Sequence, residues 1–217
     1  MVSSVIEGVY ERIEVVAARS PGTATRTPAG DVRGLLLAAA LRVLDEHGEK
    51  GLTVRAVATE AGVAPMGVYN HFEGKSGLMT AVVTEGFTQL RAMIGGVVDS
   101  DTAARLRGAG VAYRDFALRS PTLYRLMFSG QCKPEGDLGE TALYALTEII
   151  RHGQAAGTIR DGDPMILTLQ IWACVHGAVS LEIDAREFDG GGPAGTNSHW
   201  PHVYEQTLDL ISRGVAP

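Results

Sequence analysis

Between Leu52 and Leu78 the chain reads L-T-V-R-A-V-A-T-E-A-G-V-A-P-M-G-V-Y-N-H-F-E-G-K-S-G-L, and few backbones satisfy that order of caps, turns and apolar positions. Thr53 is a good N-cap, Arg55 to Ala61 has helical composition with Val57 and Ala58 facing inward, and Gly62 can take the left-handed conformation that ends a helix. The chain must reverse at Gly62. Ala64-Pro65 opens a second short helix, because a proline in a first helical turn loses no needed hydrogen bond. That helix ends in Tyr69-Asn70-His71-Phe72, and Glu73-Gly74-Lys75 breaks it before a long apolar-periodic segment begins. Two short helices joined by a glycine turn form a helix-turn-helix, whose second helix reads DNA from the major groove.

The words Leu52-Thr53, Ala61-Gly62-Val63-Ala64, Val68-Tyr69-x-His71-Phe72 and Lys75-x-x-Leu78 together resemble the DNA-binding domain of the TetR family of bacterial transcriptional regulators. The resemblance covers residues 31–78 and implies an all-α fold. An N-terminal three-helix helix-turn-helix domain (31–78) would be followed by a C-terminal helical ligand-binding and dimerisation domain (79–217), with residues 1–30 as a partly helical extension and linker. It also implies roles at matching positions. Thr53 and Arg55 stand where family members touch DNA, and an arginine there suits guanine O6 and N7. Pro65, Met66 and Gly67 form the exposed first turn of the recognition helix; Met66 can sense a thymine methyl, and Gly67 lets the backbone approach the groove. Asn70 can bond to adenine or phosphate, while Tyr69, His71 and Lys75 resemble phosphate clamps.

Charge sets a condition on this reading. The chain carries a formal net charge of -6, and residues 31–98 hold six Lys/Arg against seven Asp/Glu, a net of -1. A nucleic-acid binder usually shows a basic footprint. Few phosphate contacts and modest non-specific affinity are therefore expected, with recognition resting on Arg55, Asn70, methyl contacts and dimer geometry. Hydrophobic content of 45% with 20% charged residues fits a folded chain with a real core. Cys132 and Cys174 form no metal or disulfide framework, and Glu7, Glu11, Arg12 and Glu14 interrupt any signal-peptide core, so a cytoplasmic protein is expected.

Elsewhere the periodicity is helical throughout. Ser4-x-x-Glu7 reads as a capping box before Val5, Val9, Ile13 and Val16, and Arg19 and Arg26 lie in the linker that follows. Asp31 is expected to cap a support helix with Leu36, Ala39, Ala40, Val43, Leu44 and His47 on one face, ended by Gly48. Val83, Phe87, Leu90 and Ile94 mark a long helix over about 76–98. From Asp101, Leu106, Ala109, Gly110, Tyr113, Phe116 and Ala117 share a face, with Gly108 and Gly110 permitting close helix approach or a cavity. Pro121 to Phe128 is a short helix. Leu138 to Ala156 buries Ala142, Leu143, Leu146, Ile149 and Ile150. Asp163-Pro164 opens the most apolar helix, Gly190 to Ser198 is a loop, and a last helix from Pro201 places Val203, Tyr204, Thr207, Leu208 and Ile211 together. The last two helices are the expected homodimer interface.

Trp172-Ala-Cys-Val-His176-Gly177 places an aromatic ring and an imidazole on one helix face. It resembles the W-x-x-x-H-G signature of one group of TetR-family C-terminal domains, and Pro121-Thr-Leu-Tyr124-Arg-Leu-Met-Phe128 resembles the short helix that accompanies it. Tyr113, Phe116, Tyr124, Met127, Phe128, Trp172 and His176 are the candidate residues for a small-molecule effector; packing of a satisfied core histidine is the other reading of His176. Gly190-x-Gly192-x-x-Gly195 follows no strand and contains Pro193, which argues for a loop rather than a dinucleotide site. His199-x-x-His202 lacks a third ligand, and no metal or cofactor is expected. The uncharged run Pro164–Leu181 is eighteen residues long and holds Thr168, Gln170, His176 and Ser180, so a dimer helix fits better than a membrane span. With no paired carboxylates or activated nucleophile, an enzyme is not expected. The function that follows is a homodimeric repressor released from a palindromic double-stranded operator by a small molecule; the alternative is a TetR-like partner-binding protein without sequence-specific DNA binding.

Overall fold

The computed structural model describes residues 29–187 and 199–217. The expected helix near the N-terminus, Arg19 and Arg26, and the loop from Gly190 to Ser198 lie outside those residues. Among the described residues there are nine α-helices and no strand: α1 (Ala29–Gly51), α2 (Val54–Glu60), α3 (Pro65–Phe72), α4 (Lys75–Gly95), α5 (Thr102–Arg119), α6 (Pro121–Phe128), α7 (Leu138–Ala155), α8 (Pro164–Glu187) and α9 (Trp200–Val215). They pack as two compact units. The first holds the described residues through Phe87 and Thr122–Leu138; the second holds Thr88–Pro121 and the described residues from Gly139 on.

In the first unit, Leu36, Ala39, Ala40, Val43 and Leu44 of α1 are buried, together with Leu52, Val57, Ala58, Val68, Phe72 and Leu78. Two expectations for α1 are corrected. Its helix begins at Ala29, so Asp31 lies inside it rather than at its cap. His47 is exposed, 3.8 Å from Glu46, because the helical face turns outward one turn before the break. The break itself is at Gly48, where φ is 67° and the regular helix is interrupted. Arg42 of α1 pairs with Glu60 of α2 at 2.6 Å. On α4, α6 docks at Gly86, where a Cβ would stand 2.5 Å from Met127 Sδ, and Phe87 meets the Phe128 ring edge-on at 5.5 Å.

The second unit is organised by α5, α8 and α9. Leu106, Ala109, Ala112, Tyr113, Phe116 and Ala117 of α5 are buried, as are Leu167, Ile171, Val175, Val179 and Ile183 of α8. α8 has the length and apolarity to cross a membrane, and one full face of it is instead packed into this helical core. Gly110 permits close approach rather than a cavity: a Cβ there would stand 2.5 Å from Leu208 Cδ2, and Tyr204 of α9 donates its hydroxyl to the Gly110 carbonyl at 2.7 Å. Gly108 is likewise covered by Val97. Two core expectations are weaker than the periodicity implied, since Leu143 is half-buried and Val203 is exposed. Each sits at the margin of an amphipathic stripe whose centre is occupied by Leu146 and Tyr204.

Candidate nucleic-acid interface and effector residues

The local geometry of α2 and α3 follows from their end residues. Thr53 Oγ1 accepts a hydrogen bond from the Ala56 N–H at 3.2 Å, which starts α2 and leaves the Thr53 hydroxyl hydrogen available outward. Gly62, at φ +67°, turns the chain. Ala64 offers no side-chain cap to α3, so amides of its first turn lack a side-chain acceptor. Glu73 closes α3 in the left-handed conformation at φ 58°, and Gly74 continues the turn at φ +103°. Gly77 then allows the first turn of α4 to sit against the end of α3: a Cβ there would lie 1.8 Å from the Phe72 carbonyl oxygen.

These constraints put Val68 and Phe72 in the core and turn the opposite face of α3 outward. Arg55, Pro65, Met66, Tyr69, Asn70 and Lys75 are exposed, Met66 at 64% and Tyr69 at 54%, while Gly67 and His71 are half-buried. The side chains of Arg55, Tyr69, Asn70 and Lys75 make no hydrogen bond or ion pair with any described residue. Two arginines of the unit are engaged instead: Arg42 by Glu60, and Arg33 over the Phe72 ring at 5.0 Å. Gly67 is not required by packing, since a Cβ would make only ordinary contacts with Val63 and Leu36 at 3.6 and 4.0 Å.

In the second unit, the structure brings Tyr113, Trp172 and His176 together. The Trp172 indole N–H donates to the Tyr113 oxygen at 3.2 Å, and that hydroxyl lies 2.8 Å from His176 Nδ1. The Tyr113 hydroxyl thus links the Trp172 indole to the His176 imidazole. Burial lowers the His176 pKa below the usual imidazole range, in keeping with a neutral ring. The Trp172 and His176 rings are 5.2 Å apart, and Phe116 is buried on the same helix as Tyr113. Tyr124, Met127 and Phe128 belong to the first unit, where they pack on one another and on α4.

Comparison with known proteins decides the family. Residues 36–82 match the model of bacterial regulatory proteins of the tetR family, and residues 106–200 match the tetracyclin repressor-like C-terminal domain. The chain belongs to the TetR family. The HTH-type transcriptional regulator Rv1816 of Mycobacterium tuberculosis is 26% identical over 182 residues, 65% of this chain and 76% of that protein. The HTH-type transcriptional activator FasR of Mycolicibacterium smegmatis is 33% identical over 108 residues, 48% of each chain. This chain spans about half the length of two of the curated relatives it matches. A solved structure of a protein with unknown function from Rhodococcus sp. RHA1 is 28% identical, with a TM-score of 0.72 over 92% of this chain and 100% of that one.

As a TetR-family helix-turn-helix regulator, the chain also contains a feature that the periodicity did not bring out. Glu182 of α8 is fully buried, and Arg114 of α5 donates to both its oxygens at 2.7 and 2.6 Å. Arg186 adds a third bond at 2.7 Å, and the Arg114 guanidinium lies 5.4 Å from the centre of the Tyr204 ring on α9. Burial alone would raise the Glu182 pKa, but the hydrogen bonds and charge of Arg114, then Arg186, hold it below its ordinary value. The signal available in the sequence was an acid directly after the eighteen-residue uncharged run Pro164–Leu181. Opposite the buried face, α8 and α9 expose Ile166, Leu169, Leu181, Val203 and Leu210, with Cys174 on the same side. A cavity of about 150 Å³ between the two helices is lined in part by Cys174, Leu210 and Ile211 and shares no residue with the Tyr113–Trp172–His176 group.

Proposed function

We propose that this TetR-family regulator is a homodimeric repressor that binds a two-fold operator through residues 31–78 and releases it when residues 79–217 bind a small molecule. The observation that carries the DNA reading is the outward set Arg55, Pro65, Met66, Tyr69, Asn70 and Lys75, backed by buried Val68 and Phe72. Arg55 and Asn70 are assigned to base edges, Met66 to thymine methyls, and Thr53, Tyr69, His71 and Lys75 to phosphates. A backbone close to the groove at Gly67 explains a glycine that packing does not require. Two-fold symmetry would place half-sites about one helical turn apart.

Titrating the protein against DNA flanking its own gene, read by fluorescence anisotropy, tests the assignment. Tyr69→Ala with Lys75→Ala should weaken binding on the order of a hundredfold, as for two lost charge-assisted or polar phosphate contacts, and flatten the salt dependence. Undiminished binding would refute the reading. The net charge of -1 over residues 31–98 favours one second reading, a partner-binding protein without sequence-specific DNA binding; a defined footprint with a steep salt slope would reject it. A transcription assay from the same DNA separates repression from activation, the mode named for FasR.

The exposed apolar stripe of α8 and α9 supports the dimer. Burying it against a second copy would remove Ile166, Leu169, Leu181 and Leu210 from water, and because each is already about half covered the gain is on the order of 1 kcal/mol apiece. Leu169→Lys with Leu210→Lys should therefore give a folded monomer in analytical ultracentrifugation and abolish two-half-site binding. An unchanged sedimentation coefficient would exclude this face. For the effector, the aromatic Tyr113–Trp172–His176 group supports a small ligand with an apolar body held beside a neutral imidazole.

A further inference from the structure

A groove runs between the last turns of α4 and the first half of α7, both within the second unit, with a volume of about 470 Å³. That size falls among small-molecule sites, which span roughly 300–1,000 Å³. Its floor is made of the small residues Ala92, Gly95 and Ala145, and one wall carries the exposed ring of Tyr144. The opening over Gly95 is real space: a Cβ there would meet no heavy atom within 4 Å. Arg91 stands exposed at the edge and makes no hydrogen bond or ion pair with any described residue. Glu148 also lines the groove, but its carboxylate is engaged by Arg151 at 2.6 Å. The uncompensated charge is therefore positive and sits beside a flat, partly aromatic surface.

We propose that this groove is a second ligand site, for a flat aromatic carboxylate. The carboxylate would be met by the Arg91 guanidinium, whose forked donors match two oxygens on one carbon. The ring would lie between Tyr144 and the floor at Ala92 and Ala145, where small side chains leave a surface that a planar body can cover. A neutral aromatic would leave Arg91 unanswered, and a cation would be repelled by it. The site shares no residue with the Tyr113–Trp172–His176 group, so it stands independently of the effector reading above.

The test is isothermal titration calorimetry of the full chain with 2-naphthoate at low salt. One saturable event per chain is expected, with 2-naphthalenemethanol, the uncharged analogue, binding at least tenfold more weakly. Arg91→Gln should weaken 2-naphthoate by tenfold or more. Gly95→Leu, which projects into open space, should abolish it while leaving the thermal unfolding profile in place, and His176→Ala should leave the titration unchanged. The proposal is overturned by any of three results: no saturable heat up to millimolar 2-naphthoate, equal binding of the uncharged analogue, or affinity that is unmoved by Arg91→Gln. Loss on His176→Ala would assign the binding to the other group and equally overturn it.

Discussion

Gly77→Ala is expected to lower DNA affinity by more than tenfold and to destabilise the helix-turn-helix unit, although Gly77 touches no DNA in any reading of the site. Its Cβ would lie 1.8 Å from the Phe72 carbonyl oxygen and 2.8 Å from the carbonyl carbon. Those are backbone atoms and cannot rotate away. Either α4 withdraws from the end of α3 or the last turn of α3 unwinds, and forced shifts of this kind cost about 1–3 kcal/mol. α3 is then held at a different angle, so Tyr69, Asn70 and Lys75, proposed above to contact DNA, would no longer meet the groove together. Gly67→Ala provides the contrast. Packing accepts it, and helix propensity should add about 0.5–1 kcal/mol of stability. Denaturant unfolding and anisotropy on the same samples distinguish the two. Gly77→Ala should lose both stability and affinity, whereas Gly67→Ala should lose affinity alone if the backbone approaches DNA there. Wild-type stability and affinity in Gly77→Ala would refute the account of how α3 is positioned.

Glu182→Gln should be the most damaging single change in the second unit, costing about 3–5 kcal/mol when one partner of a buried ion pair is removed. The amide keeps the shape but not the charge, leaving the mostly buried Arg114 guanidinium, 20% exposed, without its counter-ion. Arg186→Gln should cost no more than about 1 kcal/mol, because Arg186 is half exposed and water replaces the pair. The pH dependence has a definite sign. The folded-state pKa of Glu182 is held below that of an ordinary carboxylate, so its contribution is complete above the ordinary carboxylate range and is lost as pH falls through the lower folded value. The stability gap between wild type and Glu182→Gln, measured by urea unfolding at fixed protein concentration, should be widest near neutrality and narrow below about pH 4. A gap that widens with acid would mean that Glu182 is not held ionised by Arg114.

Much of the first unit was legible in order along the chain. Thr53, Gly62, Pro65 and the pair Val68 and Phe72 act through their nearest neighbours in sequence, so their cap, turn and burial are local consequences of residue type. Asp31 and His47 were misplaced because a helix end or rim is set by where the flanking chain happens to pack. The left-handed Glu73 was not foreseen either; residue type favours glycine there, and the turn into α4 imposes the conformation regardless.

What the sequence alone determined is therefore the family, the all-helical order and the outward face of the reading head, since each depends on periodicity and end signals within a few turns. Only the tertiary structure decided which side chains answer one another across helices. Arg114 and Glu182 are 68 residues apart, Tyr113 and His176 are 63 apart, and Arg91 and Tyr144 meet in one groove although no spacing rule connects them. Helical periodicity fixes the face on which a residue stands. The neighbour that face meets depends on helix crossing and close approach, which here turn on the absence of a side chain at Gly77, Gly86 and Gly110.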